Sequence, residues 1–189
     1  MINKNITLAF RNIDRKDFVP EEYLDQACGD YPLPIGFGQT ISQPSTVAFM
    51  FELLNPKEGD KVLDVGSGSG WTTALLADIV GEKGRVFGVE LVLELVELGR
   101  KNLSKYDKYL NAQIYLAGKH LGLPGKAPFD RILVSASGEE IPEELIKQLK
   151  VGGVMVVPVL NSVWKIKRVS ESGVEKEEYP GFVFVPLKV

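Results

Sequence analysis

Cysteine and histidine are almost missing from this sequence, which has one of each. With Cys28 alone, no internal disulfide can form, and a zinc site made of cysteine and histidine lacks its ligands. A mechanism of the Ser-His-Asp or Cys-His type would have to use His120, whose polar, glycine-rich surroundings indicate an ordinary loop residue. The sequence therefore predicts no metal site and no histidine-activated nucleophile.

A dominant charge and a long hydrophobic run are also missing. The 22 Lys and Arg residues against 25 Asp and Glu residues give a net charge of −3, which shows no general nucleic-acid- or membrane-binding surface. The N-terminal residues carry Lys4, Arg11 and Arg15 but no long apolar segment, so neither a signal peptide nor a transmembrane helix is predicted. We expect a cytoplasmic protein without nucleic-acid or membrane partners, and its oligomeric state stays open.

Length and composition favour one domain. A chain of 189 residues can bury a sizeable core, and 44% apolar and 25% charged residues are ordinary for such a domain. We expect a single domain over residues 1–189, in which residues 1–55 form a cover of helices and loops and residues 56–189 form the core.

Hydrophobic periodicity predicts strands that alternate with helices. The expected strands are 61–65, 84–90, 112–116, 129–136, 154–159, 163–169 and 181–187, and the expected helices are 44–54, 69–80, 94–103 and 141–150. The last helix should end before Gly152-Gly153, and the last two strands should be joined by a turn in ESGVEKEEYPG. This order implies an α/β fold, a doubly wound and mostly parallel sheet with an antiparallel edge strand.

The stretch LDVGSGSGW joins the first of these strands to its helix. Gly66, Gly68 and Gly70 allow a tight turn and a close backbone approach to a ligand. The dinucleotide fingerprint would need glycine at position 71, where the chain has Trp71. The G-x-G-x-G spacing instead looks like the S-adenosylmethionine loop of Rossmann-like methyltransferases. Glu90 ends the next strand, where a carboxylate can accept hydrogen bonds from ribose hydroxyls. The alternative for the glycine loop is a turn without a ligand, and the alternative for Glu90 is a solvated carboxylate at the end of a strand.

The stretch GFGQTISQPSTVAFM precedes this frame. Its second half predicts an amphipathic helix that begins at Pro44. Its first half is rich in glycine and polar residues, more than a helix start requires. Ser42 is either the N-cap of that helix or a residue that faces a ligand.

Several stretches together resemble protein-L-isoaspartate O-methyltransferases: DRKDFVPEEY, YPLPIGFGQTISQP, LDVGSGSGW, APFDRILVSA, EEIPEELIKQLKVGG and FVPL. The resemblance implies a Rossmann-like methyltransferase fold. It also implies methyl transfer from the cofactor S-adenosylmethionine to the free carboxylate of L-isoaspartyl residues in damaged proteins or peptides, which starts their repair. The scarcity of histidine and cysteine agrees with this reaction, because a carboxylate with a pKa near 4 is already an anion at pH 7 and needs no general base.

The resemblance also implies roles for particular residues. Ser42 would be the catalytic-site serine, with a hydroxyl that donates to the substrate carboxylate. The cofactor-binding residues would be Gln39, Thr40, Ile41, Gly66, Ser67, Gly68, Ser69, Gly70, Glu90, Leu91, Ala117 and Gly118. The substrate-binding residues would be Ser42, Ser135, Ala136, Val159 and Leu160.

The chain departs from the family pattern at three places. Gly118 and Lys119 stand where the family has an aspartate near the adenine amino group and a glycine, so Asn111 or a backbone carbonyl would have to compensate. Leu160 stands where the family has a glycine, and Trp164 where it has a glutamine. These side chains either simply pack at a strand end or alter the space on the substrate side. The chain also begins close to DRKDFVP, so we expect little helix before it and a more open site.

Two other functions therefore stay open. The first is a weakened or inactive relative that binds S-adenosylmethionine or a protein partner, which the residues at these departures favour. The second is a methyltransferase with another substrate such as RNA. Against RNA, the stretch after the fourth strand is Ser135-Ala136-Ser137-Gly138, which has no aromatic residue to stack on a base.

Overall fold

Helices and strands alternate along the computed structural model, which describes residues 3–106 and 111–187. The elements are α1 (Lys4–Asn12), β1 (Leu33–Gly36), β2 (Gln39–Ile41), α2 (Pro44–Leu54), β3 (Lys61–Val65), α3 (Trp71–Val80), β4 (Arg85–Glu90), α4 (Leu93–Leu103), β5 (Ala112–Leu116), β6 (Phe129–Val134), α5 (Glu143–Gln148), β7 (Leu149–Val159), β8 (Ser162–Arg168) and β9 (Val174–Pro180). Short 3-10 helices cover Arg15–Phe18, Glu21–Gln26 and Pro124–Lys126.

Seven strands form one sheet in the order β5-β4-β3-β6-β7-β8-β9. The strands from β5 to β7 pair in parallel, and β8 and β9 add two antiparallel pairings at the edge. This confirms the predicted α/β fold with a mostly parallel sheet and an antiparallel edge. The chain moves outward from β3 through β4 to β5 and then returns to β6 on the other side of β3. Such a switch point leaves a crevice at the carboxyl ends of the strands.

Helix α3 is buried almost all round, because it lies between the sheet and α1. Helix α1 (Lys4–Asn12) precedes the stretch DRKDFVP, where little helix was expected. Phe10 of α1 packs its ring edge against Trp71, at 5.5 Å between ring centroids. No helix in the described ranges is long and apolar enough to cross a lipid bilayer.

The helix expected at 141–150 is shorter than predicted. Helix α5 ends at Gln148, and β7 begins at once with Leu149. The pairing of β6 with β7 shifts register after Leu149, so Gly152-Gly153 lies inside an irregular strand. Gly152 has φ +87°, and a Cβ on Gly153 would lie 2.9 Å from the carbonyl oxygen of Asp130. The glycine pair therefore allows a bulge and does not mark a helix stop.

The predicted strand at 181–187 is wrong. The edge strand is β9, which lies in the charged segment expected to be a turn. Its side chains are mostly exposed, and cross-strand ion pairs such as Lys165–Glu177 at 2.8 Å replace an apolar face. Residues 181–187 instead run from the end of β9 to the residues after β6, and backbone hydrogen bonds to Asn161 and Ser137 hold them there.

Candidate active site

A cavity of about 230 Å³ opens at the carboxyl ends of β3, β4 and β6. Six segments surround it: the β1–β2 hairpin, the glycine loop after β3 with the start of α3, the end of β4, the loop after β5, the residues after β6 and the C-terminal segment. Its lining residues are Ile35, Phe37, Gln39, Thr40, Ile41, Ser42, Val65, Gly66, Ser67, Gly68, Ser69, Trp71, Thr72, Val89, Glu90, Leu91, Val92, Ala117, Gly118, Lys119, His120, Leu121, Gly122, Ser135, Ala136, Val185, Pro186 and Leu187. The cavity thus lies at the switch point where a ligand is expected.

The glycine loop follows β3 and leads into the N-terminus of α3. Gly66 and Gly68 have φ +79° and +52°, a left-handed conformation that disfavours other residues. A Cβ on Gly68 would lie 3.1 Å from Cδ1 of Ile35, so the absence of a side chain lets the β1–β2 hairpin approach. The hydroxyl oxygen of Ser67 is buried and has no hydrogen-bond partner in the described part of the chain. The loop therefore offers free polar groups to a ligand.

Glu90 ties the end of β4 to the glycine loop. Its Oε2 accepts a hydrogen bond from the N–H of Gly68 at 2.9 Å, and its Oε1 accepts from the N–H groups of Leu91 and Val92 at 2.8 and 3.0 Å. A carboxylate has about four lone-pair sites, so Oε2 keeps capacity for one further donor. Glu90 can therefore receive a ligand hydroxyl without giving up a backbone partner.

Asp64 adds a second carboxylate on the glycine-loop side. It is fully buried, and its Oδ2 accepts hydrogen bonds from the hydroxyls of Thr72 and Thr73, both at 2.7 Å. Its Oδ1 has no partner among the described residues. Burial raises the pKa of Asp64 to about 6, against the lowering effect of the two hydroxyl donors. Asp64 and Glu90 give this side a negative potential at pH 7, which suits a cationic ligand.

Ser42 lies at the opposite wall and does not cap α2. The N-cap residue is Gln43, and the acceptor for the Ser45 N–H is Oδ1 of Asp30 at 2.9 Å. Asp30 also accepts from the side chain of Gln43 at 3.1 Å. The hydroxyl of Ser42 donates to and accepts from no other described residue, and it lines the cavity. Of the two roles the sequence left open for Ser42, the structure removes the cap.

The structure brings most of the predicted site residues together. Gly70, Val159 and Leu160 do not line the cavity. A Cβ on Gly70 would lie 3.1 Å from the carbonyl oxygen of Gly99, so Gly70 lets α3 pack closely on α4. Val159 is 8% exposed at the end of β7, and Leu160 follows it in the turn to β8 with its side chain 64% exposed. All the other residues predicted to bind cofactor or substrate line the cavity.

The departures from the family pattern have unequal consequences. Gly118 and Lys119 are exposed and line the cavity. Asn111 cannot compensate for a missing adenine contact, because its amide donates to the carbonyl of Gly81 at 2.8 Å, at the opposite end of α3. Trp164 is half-buried in β8, packs against the core cluster around β6 and β7, and does not line the cavity.

Sequence reasoning missed several lining residues. The C-terminal segment was predicted as a strand, and His120 as an ordinary loop residue. No local sequence pattern marks the C-terminal segment as part of the site, because it reaches the cavity through backbone hydrogen bonds to the distant residue Ser137. The missed residues are Ile35, Phe37, Val65, Trp71, Thr72, Val89, Val92, Lys119, His120, Leu121, Gly122, Val185, Pro186 and Leu187.

Comparison with known proteins identifies one family. The profile of the protein-L-isoaspartate(D-aspartate) O-methyltransferase family matches residues 1–189. A protein-L-isoaspartate O-methyltransferase from Methanopyrus kandleri is 42% identical over 191 residues, an alignment that covers 98% of this chain and 84% of the relative.

Two solved structures share the fold over the whole chain. A protein-L-isoaspartate O-methyltransferase superposes with a TM-score of 0.91 at 27% identity, and the match covers 62% of that longer chain. A Plasmodium falciparum structure described by the same activity, in complex with S-adenosyl-L-homocysteine, superposes with a TM-score of 0.87 at 26% identity over 92% of its chain. Both superpositions cover all of the present chain.

Proposed function

The chain belongs to the protein-L-isoaspartate O-methyltransferase family, and from that membership we propose that it transfers the methyl group of S-adenosylmethionine to the free carboxylate of L-isoaspartyl residues. One observation supports this proposal above the others. The segment Gln39–Ser42 and the glycine loop with Glu90 face the same cavity. A cofactor held by one wall would therefore have its reacting group within reach of a substrate held by the other.

The cofactor fits the residues of the glycine-loop wall. Oε2 of Glu90 retains capacity for a ribose hydroxyl, and the unpartnered hydroxyl of Ser67 is available to the polar end of the ligand. The N-terminus of α3 favours a carboxylate at this place, while Asp64 and Glu90 favour the cationic groups of the same molecule. When bound, S-adenosylmethionine supplies an electrophilic methyl group on a positively charged sulfur.

The chain must then orient a nucleophile that is already charged. The isoaspartyl carboxylate is ionised at pH 7, so no side chain has to remove a proton. Ser42 is free to donate its hydroxyl to one carboxylate oxygen and so aim the other at the methyl group. Alignment and exclusion of water supply the rate, and the apolar C-terminal residues Val185, Pro186 and Leu187 close one side of the cavity.

The structure also weakens the reasons to expect an inactive relative. Trp164 and Leu160 lie outside the cavity lining, so neither fills the space that a substrate needs. Gly118 leaves the adenine side without a carboxylate, and we propose that backbone groups of residues 117–119 serve the adenine there. The cytoplasm as compartment remains part of this proposal, which fractionation of the native cells would test.

A comparison of wild type with Ser42→Ala tests the function. With labelled S-adenosylmethionine and an isoaspartyl peptide, wild type should methylate the peptide. Ser42→Ala should lower kcat by about tenfold or more, because a hydrogen bond to a charged group contributes about 1.5–3 kcal/mol. Titration calorimetry should give both proteins the same affinity for S-adenosylhomocysteine within about twofold.

Ser170→Ala is the matched control, since Ser170 is exposed in the turn between β8 and β9. It should behave like wild type in both measurements. Absence of transfer by wild type would refute the proposed function. Full activity of Ser42→Ala would keep the function and remove Ser42 from the mechanism.

A further inference from the structure

Arg15 is a buried cation that the proposed reaction does not use. It is 6% exposed, and no carboxylate oxygen of residues 3–106 or 111–187 lies within 4.0 Å of its guanidinium. Burial lowers the pKa of Arg15, and the more distant charge of Asp30 only partly offsets that effect. A buried charge without an ion-pair partner is costly unless polar groups solvate it. The guanidinium must therefore be held by other acceptors.

Backbone carbonyl oxygens provide those acceptors. Nη1 donates to the carbonyls of Ala27 at 3.0 Å and Gly29 at 3.1 Å. Nη2 donates to the carbonyls of Tyr31 at 2.9 Å, Ser42 at 3.0 Å and Ile41 at 3.4 Å. The five acceptors come from two stretches, 27–31 and 41–42, which the planar guanidinium holds together.

These two stretches are the legs of the β1–β2 hairpin. Tyr31 lies just before β1 begins at Leu33, and Ser42 directly follows β2. Nη2 of Arg15 therefore closes the base of the hairpin, whose residues 35–42 form one wall of the cavity. The hairpin tip has positive φ at Gly36, Phe37 and Gly38, and Phe37 is 58% exposed there. The base, and not the tip, is thus the part of the hairpin that is fixed to the rest of the molecule.

The same guanidinium touches the opposite wall. Its Cζ lies 5.4 Å from the centre of the Trp71 ring, a cation–π contact. Trp71 is the first residue of α3, lines the cavity and directly follows the glycine loop. Arg15 therefore links the hairpin that carries Ser42 to the helix that begins at the glycine loop.

We propose that Arg15 is a positioning residue that sets the distance between Ser42 and the cofactor wall. The inference rests on the proposed function. Lysine cannot replace Arg15, because an ammonium is a compact point charge and cannot span two groups of carbonyls while it stacks on an indole. A shift of about 1 Å at a reacting group can cost about 100-fold in rate. Loss of the link should therefore lower turnover more than cofactor affinity.

Arg15→Lys is compared with the control Arg168→Lys. Arg168 also donates to backbone carbonyls, those of Leu149 and Lys147 among them, but it lies in β8 at the sheet end opposite the cavity. Arg15→Lys should lower kcat on an isoaspartyl peptide by about 10- to 100-fold, with S-adenosylhomocysteine affinity changed by less than about threefold. Arg168→Lys should keep the wild-type kcat, even where its loss of stability is as large.

Amide hydrogen exchange gives a readout that a general loss of stability would not. In Arg15→Lys, the amides of residues 33–42 should exchange faster while those of β3 and β6 keep their protection; in Arg168→Lys the hairpin should be unchanged. Arg15→Gln, which buries no ammonium, should show the same pattern. Wild-type kcat in either Arg15 variant, or equal loss of protection throughout, would overturn the inference.

Two further results have defined meanings. If both Arg15 variants fail to fold at 25 °C, Arg15 holds the whole fold and not the hairpin, which also overturns the inference. If wild type itself does not methylate the peptide, the proposed function fails, and the hydrogen-exchange comparison still decides whether Arg15 fixes the hairpin.

Discussion

Single buried polar groups lie next to this site, and Asp64, which is fully buried and does not line the cavity, is the clearest example. Its unfolded pKa is close to 3.8, whereas burial raises the pKa of the folded carboxyl to about 6. Because the raised pKa belongs to an acid, the folded state binds the proton more tightly. Asp64 therefore costs nothing below about pH 4, and the full cost is present above about pH 6. The protein therefore keeps a destabilising buried charge next to the glycine loop above about pH 6.

Asp64→Asn should remove this cost in the protein without ligand. Asparagine resembles protonated aspartic acid, so the two free energies of unfolding should be close at pH 4. As the pH rises from 4 to 6, the variant should become increasingly more stable than wild type. The difference should reach up to about 3 kcal/mol, for a shift of about two pKa units, and should persist above pH 6. Urea unfolding at pH 4, 5, 6 and 7 measures the difference, and a difference independent of pH would show that Asp64 is not charged and buried.

Individual residues of the site differ in how far their roles could be predicted from the sequence. The glycine loop and Glu90 were predictable, because positive φ and a strand-end carboxylate have local signatures. The helix-capping role of Asp30 and the carbonyl-binding role of Arg15 were not predictable. Their hydrogen-bond partners lie 12 to 27 residues away along the chain, and those of Arg15 are backbone carbonyls, which have no sequence signature. Ser42 followed the usual pattern of a helix cap, and a distant carboxylate took that place.

At the scale of elements, local patterns succeeded where one face is apolar. Helix α2 runs from Pro44 to Leu54 as predicted, since proline suits the first turn and Asn55 ends the helix in a left-handed conformation. Strand β9 was missed because an edge strand with two exposed faces needs no alternation of apolar residues. The segment 181–187 is a nearly continuous apolar run, which is typical of a buried strand, yet Phe182 and Phe184 pack on the core without pairing in the sheet.

The turn between β7 and β8 contains a strained residue. Leu160 has φ +53° as the first of two residues between paired strands, a position that favours glycine. Leu160→Gly should stabilise the protein by about 0.5–1 kcal/mol, because relief of left-handed strain exceeds the added chain entropy of glycine. Urea unfolding measures this gain. A less stable variant would show that the exposed Leu160 side chain makes a contact that outweighs the strain.

For the whole molecule, the parallel sheet sets the place of the site and the N-terminal region completes it. The switch point between β3 and β6 could be predicted from the order of elements alone. The cavity, however, also needs the hairpin, which Arg15 fixes to α3, and the C-terminal segment, which Ser137 holds at the rim. These long-range contacts depend on the folded chain, so the sequence indicated the glycine-loop side of the cavity better than the C-terminal side.

Methyl transfer to isoaspartyl carboxylates in this cavity is the proposed activity of the whole molecule. The most direct measurement is the rate of label transfer from S-adenosylmethionine to two peptides of identical sequence, one with an isoaspartyl and one with an aspartyl residue. We expect transfer to the isoaspartyl peptide, with kcat/KM at least about 100-fold above that for the aspartyl peptide, since misplacing a reacting group by about 1 Å costs that much. Equal transfer to both peptides, or transfer to neither while an RNA substrate becomes labelled, would contradict it.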